Sequence, residues 1–270
     1  NGIILKGKVF YSNDKNTWTE AGDFDWKRDG EMKGFDFGTH PVARFIKISV
    51  SEAVGGFGSG RELYVFKVPG SSSYLPGDIN NDRLIDHNDL TSYINYTGLR
   101  LGDGDFEGYV SNGDVNKNNL IDAYDISNVA TIIEGSAKPA KDEKVSGKLK
   151  LLISKTALKP GEIVEIAVSG DNLKAVNALS FALPYHQSDF EFIGIEPLRM
   201  KEMSNYSNDR LHTNGSKALY PTFINLGNKE SLNGSEVLFK IKLKAKRQVS
   251  FNLKAVDGIL VDKNLNVVSF

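Results

Sequence analysis

Apolar and polar residues alternate through KGKVFYS (6–12) and ARFIKISV (43–50), the period-2 spacing of strands with one buried face. ELYVFKV (62–68) is also strand-like, and Gly-rich or Asn/Asp-rich turns separate the three. The pattern then changes. Two polar, acidic stretches are each followed by helically spaced apolar residues, LTSYINYTGL (90–99) and ISNVATIIEG (126–135). From Lys148 short strands return: KLKLLIS, EIVEIAVS, VNALSFALPY, DFEFIGIE, ALYPTFINL, SEVLFKIKLKA, VSFNLKAV and GILVD. Eight or nine such strands with Gly, Asn and Pro turns between them predict a β-sandwich. SSSYLPG (71–77) and GSAKPAKDEKVSG (135–147) are small and polar, and they read as linkers. The predicted fold is mainly β with a small α module: strands over 1–70, the module over 71–135, a linker at 136–147 and a sandwich over 148–270.

Charge sharpens this division. The 270 residues carry 33 basic and 34 acidic side chains, so nothing global points to nucleic acid or membrane lipid. Locally, residues 1–70 have a net charge of +1, residues 71–135 of −8 and residues 136–270 of +6. An acidic module beside a basic one suggests an internal electrostatic match. No apolar run approaches the roughly 20 residues of a membrane span. There is no cysteine, hence no disulfide or thiol chemistry. The chain opens on Asn1-Gly2-Ile3 without a leader and reads as part of something longer.

The acidity is concentrated in one pattern written twice. GDINNDRLIDHND (77–89) recurs thirty-six residues later as GDVNKNNLIDAYD (113–125). Crowded carboxylates repel unless a cation sits among them. Numbered from its first aspartate, each loop has oxygen-bearing side chains at positions 1, 3, 5, 9 and 12: Asp78, Asn80, Asp82, Asp86 and Asp89, then Asp114, Asn116, Asn118, Asp122 and Asp125. Position 7 offers a backbone carbonyl, from Leu84 and Leu120. This is the ligand spacing of a twelve-residue calcium loop, in which a hard cation gathers oxygens. Position 8, Ile85 and Ile121, is the apolar residue expected to pair the two loops. Pro and Gly before each loop preclude a good entering helix, so each unit is a loop with an exiting helix only. An Asx-rich solvated turn would explain one copy, but two copies in register argue for a shared ligand.

Residues 76–135 thereby resemble a type I dockerin, a pair of loop–helix repeats that binds two calcium ions and docks on a cohesin domain. The match departs from the family at position 6, where glycine is usual and this chain has Arg83 and Asn119, and in the extra LGDGDFEGYVSN stretch between repeats. The resemblance implies partner contacts at loop positions 10 and 11: His87 and Asn88 in the first repeat, Ala123 and Tyr124 in the second. These pairs differ in chemistry, which predicts one docking face rather than two interchangeable ones.

KLKLLISKTALKPGEIVEIAVSGDNLKAVNALSFALPYHQSDFEFIGIEP opens a region, about 148–270, that looks like a cohesin domain, with a jelly-roll sandwich implied. In VNALSFALPY the alternation points Leu179, Phe181 and Leu183 inward and leaves Ala178, Ser180 and Ala182 on a flat outer face. In SEVLFKIKLKAK it sets Lys240, Lys242 and Lys244 in an outward row that could face the acidic module; the alternative is an ordinary solvated strand. The linker spans roughly 20 Å, enough to fold back. It would give an effective concentration on the order of millimolar, and the expected partner is a cohesin-like domain in the same chain or another.

KVFYSNDKNTWTEAG with PVARFIKISVSEAVGGFGSGRELYVF resembles the second half of a discoidin-type (coagulation factor type C) domain, an incomplete sandwich over about 68 residues. That family implies glycan binding, with Phe57 in GGFGSG the candidate contact and Trp18 expected in the core. No nucleophile elbow, His/Cys cluster or phosphate loop is present, so no catalytic residue is assigned. Together these likenesses imply a non-catalytic docking region of a secreted or surface bacterial glycoside hydrolase or related polysaccharide-degrading enzyme. The rival reading is a glycan-binding protein whose remaining parts are a rigid spacer.

Overall fold

The alternating stretches near the N-terminus form β1 (Ile4–Ser12), β2 (Thr19–Asp25) and β3 (Phe45–Ala53), an antiparallel sheet in the order β2-β1-β3. The computed structural model describes residues 2–38, 41, 43–60, 62–65, 75–106, 108–134 and 144–270. The expectations for residues 66–74 and 135–143, which include most of both linkers, lie outside these. The strand expected at 62–68 is not formed over 62–65. Val9 and Phe24 are the buried apolar centre of this sheet, and Phe24 stacks on Trp26 with ring centroids 3.9 Å apart. Residues 1–74 form one compact unit and residues 75–270 a second.

In the second unit each acidic stretch runs into a helix: α1 (His87–Tyr96) and α2 (Ala123–Glu134). Asp86 caps α1 by accepting from the Asn88 N–H, and Asp89 accepts from the Asp86 N–H in return, a reciprocal capping box. A 3₁₀ turn (Val110–Gly113) leads into the second loop where no entering helix was expected. Among the described residues these are the only two α-helices, and no helix is long and apolar enough to cross a membrane.

The sandwich follows: β4 (Ser146–Ile153), β5 (Ala157–Leu158), β6 (Ile163–Val176), β7 (Ala178–Tyr185), β8 (Phe190–Pro197), β9 (Ser204–Asn205), β10 (Asn208–Leu211), β11 (Lys217–Tyr220), β12 (Thr222–Ile224), β13 (Leu232–Gly234), β14 (Val237–Ala245), β15 (Val249–Ser250), β16 (Val256–Val261) and β17 (Val267–Ser269). One sheet runs β10-β11-β7-β12-β9, with β16 also on β7 and β17 on β16. The other runs β13-β6-β14-β8, with β4 on β6, and β5 pairs β15 separately. Leu179, Phe181 and Leu183 of β7 meet Val164, Ile166, Val168, Phe239, Ile241 and Leu243 in a common core.

Two predicted strands are reshaped for local reasons. ALYPTFINL splits into β11 and β12 at Pro221, which has no N–H for the ladder. VSFNLKAV keeps only β15 and the first residue of β16. The short strands β9, β10, β13 and β17 lack a long enough alternation to be read from sequence.

Candidate functional site

The two acidic loops fold alike. In each, the position-12 carboxylate accepts from the backbone of positions 2 and 9: Asp89 from Ile79 (3.0 Å) and Asp86 (3.0 Å), Asp125 from Val115 (2.8 Å) and Asp122 (2.9 Å). The position-1 carboxylate accepts from positions 5 and 6: Asp78 from Asp82 and Arg83, Asp114 from Asn118 and Asn119. Positions 4 and 6 are left-handed in both copies, Asn81 (φ 60), Arg83 (φ 69), Lys117 (φ 58) and Asn119 (φ 69). Each loop thereby turns tightly twice within six residues. Asn tolerates this backbone, whereas Arg83 is strained there. Ile121 pairs with the segment after α1 rather than with Ile85: its N–H donates to Leu99 O and its carbonyl accepts from Gly98 N–H, both 2.9 Å.

Burial raises the carboxyl pKa of Asp78, Asp89 and Asp114. It pushes Asp122 up to about 6 and Asp125 well above the ordinary range, with the Asp122 charge adding to burial at Asp125. Bare anions are therefore disfavoured in these loops. Oxygens of Asp78, Asp82 and Asp89 all lie within 4.8 Å of one another. An all-oxygen set of this kind could hold a hard cation, which would relieve the repulsion.

The loop–helix module lies against the outer face of β7. Six of the first seven residues of this strand are buried on both faces of the sheet in succession, because the inner side chains enter the sandwich core and the outer ones meet the module. Ala178, Tyr206, Ile224 and Val261 share a cluster with Ile121, Ala123, Ile126, Val129 and Ala130. Each buried Ile or Val contributes about 1.5–3 kcal/mol by its removal from water. The Ala123 N–H donates to Ser180 Oγ (3.2 Å), and Leu120 packs on Ala182, Ala218 and Tyr220. Small residues on β7 let the helix backbone approach this closely.

Polar contacts surround the apolar patch. α1 has no basic residue in its last turn, and β10 supplies one: Arg210 donates from Nε to Thr97 O (3.0 Å) and from Nη2 to Asn95 O (2.7 Å). A cation there complements the partial negative charge of the helix end. Asn208 Nδ2 donates to Ile94 O (3.1 Å), and the Gly227 N–H donates to Glu134 Oε2 (2.7 Å) at the end of α2. Asp103 meets His212 at 2.7 Å. Arg210, His212 and Asp103 were not singled out from sequence, since a lone Arg, His or Asp carries no pattern without its partner.

The residues proposed as partner contacts divide. Ala123 is fully buried against the sandwich and Tyr124 is partly buried in the same cluster, whereas His87 and Asn88 are exposed. The lysine row requires a correction. Lys240, Lys242 and Lys244 lie on β14, in the sheet away from the module, and do not face it. Lys240 pairs with Glu165 (3.1 Å) and Lys242 with Glu196 (2.8 Å), so that charge is matched within its own sheet. In the N-terminal unit Phe57 is 56% exposed. Trp18 is not in the core: it is half-buried, with Lys47 Nζ 4.4 Å above its ring and Nε1 donating to Lys15 O.

The cohesin family model, described as a cohesin domain, matches residues 149–269. No curated protein matches the chain. Among solved structures, a type II cohesin domain from the cellulosome of Acetivibrio cellulolyticus is 11% identical, with 46% of this chain and 89% of that one covered and a TM-score of 0.37. The cohesin module of a Clostridium perfringens family 33 glycoside hydrolase is 13% identical, with 47% and 90% covered and a TM-score of 0.37. A type I cohesin–dockerin complex from Clostridium thermocellum is 15% identical, with 48% and 92% covered and a TM-score of 0.35. The assignment rests on the family match, which spans the sandwich from β4 to β17. Residues 149–269 of this chain are a cohesin domain, a non-catalytic protein–protein docking module for dockerins.

Proposed function

We propose that residues 75–134 are a calcium-ordered, dockerin-like module that docks on the cohesin domain of its own chain. The observation that carries this reading is the burial of the outer β7 face, Ala178, Ser180 and Ala182, beneath the second repeat. Asp78, Asn80, Asp82, Asp86 and Asp89 with the Leu84 carbonyl would hold one ion. Asp114, Asn116, Asn118, Asp122 and Asp125 with the Leu120 carbonyl would hold the other. Calcium supplies the positive charge that these carboxylates otherwise lack. The chain's own residues do the rest: the left-handed turns aim the oxygens, Asp86 and Asp89 start α1, and Ala123 presents α2 to β7.

The arrangement is a self-docked, non-catalytic arm of a secreted or surface bacterial polysaccharide-degrading enzyme. In such an arm the cohesin face is occupied from within. His87 and Asn88, exposed at the start of α1, leave the first repeat accessible to a cohesin on another chain. Calorimetric calcium titration of the full chain tests the reading. Two ions per chain are expected, with one lost in Asp89→Ala and one in Asp125→Ala. Absence of calcium binding, or no change in either variant, would contradict it.

A further inference from the structure

We propose that the stretch between the two repeats is a selectivity element, in which the Asp103–His212 pair makes the module prefer this cohesin domain over one without that histidine. The inference rests on the docking reading above and assigns its discrimination to residues outside loop positions 10 and 11.

The apolar patch is a generic contact, small residues on a strand against a helix. The contact made by residues 100–104 is not generic. Asp103 is 4% exposed and His212 3% exposed, one from each side. Asp103 Oδ2 meets His212 Nδ1 at 2.7 Å and accepts from the Arg100 N–H, and Oδ1 accepts from the Thr213 N–H at 3.0 Å. His212 Nε2 lies 2.9 Å from the Tyr220 hydroxyl, so both ring nitrogens are engaged. The Gly104 N–H donates to Thr213 Oγ1 (2.9 Å), and Arg100 Nη2 to Ser216 Oγ (3.0 Å).

All the sandwich partners lie on the β10–β11 hairpin, whose turn is closed by its own bonds, His212 N–H to Ser216 O and Gly215 N–H to His212 O, both 2.8 Å. The hairpin thus presents His212 in a preset position. A sandwich without it would bury the Asp103 carboxylate with one donor missing, and a module without Asp103 would leave His212 Nδ1 buried and unsatisfied. Orphaning a buried polar group costs more than the satisfied pair contributes, which is how such a pair discriminates between partners.

The test uses the full chain with a protease site placed within residues 135–143, cut after folding, and measures re-association of the halves in calcium. Asp103→Asn and His212→Gln should each weaken association by about tenfold or more, and the double variant by far less than the product of the two. Thr213→Val, which keeps the hairpin's shape, should weaken it by about threefold. Thermal unfolding of each uncut chain identifies any variant that fails to fold, in which case Thr213→Val decides alone. Single variants within about twofold of the unsubstituted halves, or a strictly multiplicative double, would overturn the proposal while leaving docking intact. Unsubstituted halves that never associate would overturn the docking reading and this proposal with it.

Discussion

Gly98, in the segment after α1, presses against the ring of Tyr220 on β11, leaving no room for a Cβ. Its backbone is also left-handed, at φ +80. Both facts predict that Gly98→Ala destabilises residues 75–270 by about 2 kcal/mol or more, from strain and overpacking together. Urea unfolding measures it, and a change below about 0.5 kcal/mol would show that the two surfaces are not tightly packed.

Arg210 closes the C-terminal end of α1 from the sandwich side, so its loss should be felt by the module. Arg210→Ala is expected to cost about 1.5–3 kcal/mol, the range for hydrogen bonds to a charged donor. Arg210→Lys should recover only part of this, because an ammonium cannot reach Thr97 O and Asn95 O as a planar fork does. Equal stability of all three chains by urea unfolding would contradict the role.

The Asp103 carboxyl gives a pH dependence with a definite sign. Burial alone would raise its pKa, but bonds from His212, Thr213 and Arg100 outweigh burial and hold it below the ordinary carboxylate value. A depressed folded pKa means stability present above the unfolded value and lost as pH falls through the folded one. The stability gap between the unsubstituted chain and Asp103→Asn should therefore narrow as pH falls from about 5 to about 3. A gap that widens toward acid would reverse the assignment.

Arg83 holds a left-handed turn that Asn119 holds in the second loop. Arg83→Asn should stabilise the first loop by up to about 1 kcal/mol and tighten its ion binding severalfold. Calorimetry should find the second site unchanged. By contrast, joint replacement of Lys240, Lys242 and Lys244 by Ala should leave association of the two halves unaltered, since these residues serve the opposite sheet.

The two loop–helix turns were legible in the sequence because a duplicated spacing of Asp and Asn is a local signal. The same holds for the β7 face, where strict alternation assigned Ala178, Ser180 and Ala182 to one side. The lysine row misled for a related reason. Alternation fixes which side of a strand is outer but not which of two sheets the strand joins, and β14 joined the sheet with β6 and β8. Ile121 was expected beside Ile85 because the repeats look equivalent, yet its backbone bonds go to Gly98 and Leu99. Asp103 and His212 are 109 residues apart, a separation across which no local pattern survives.

In the proposed arrangement the module docks on the cohesin domain of its own chain through an ion-ordered face. The most direct measurement is size-exclusion chromatography of the chain cut within residues 135–143 after folding, in calcium and then in chelator. Co-elution of the two pieces in calcium and their separation in chelator is the expected result. Separation in calcium, or co-elution indifferent to the chelator, would contradict it.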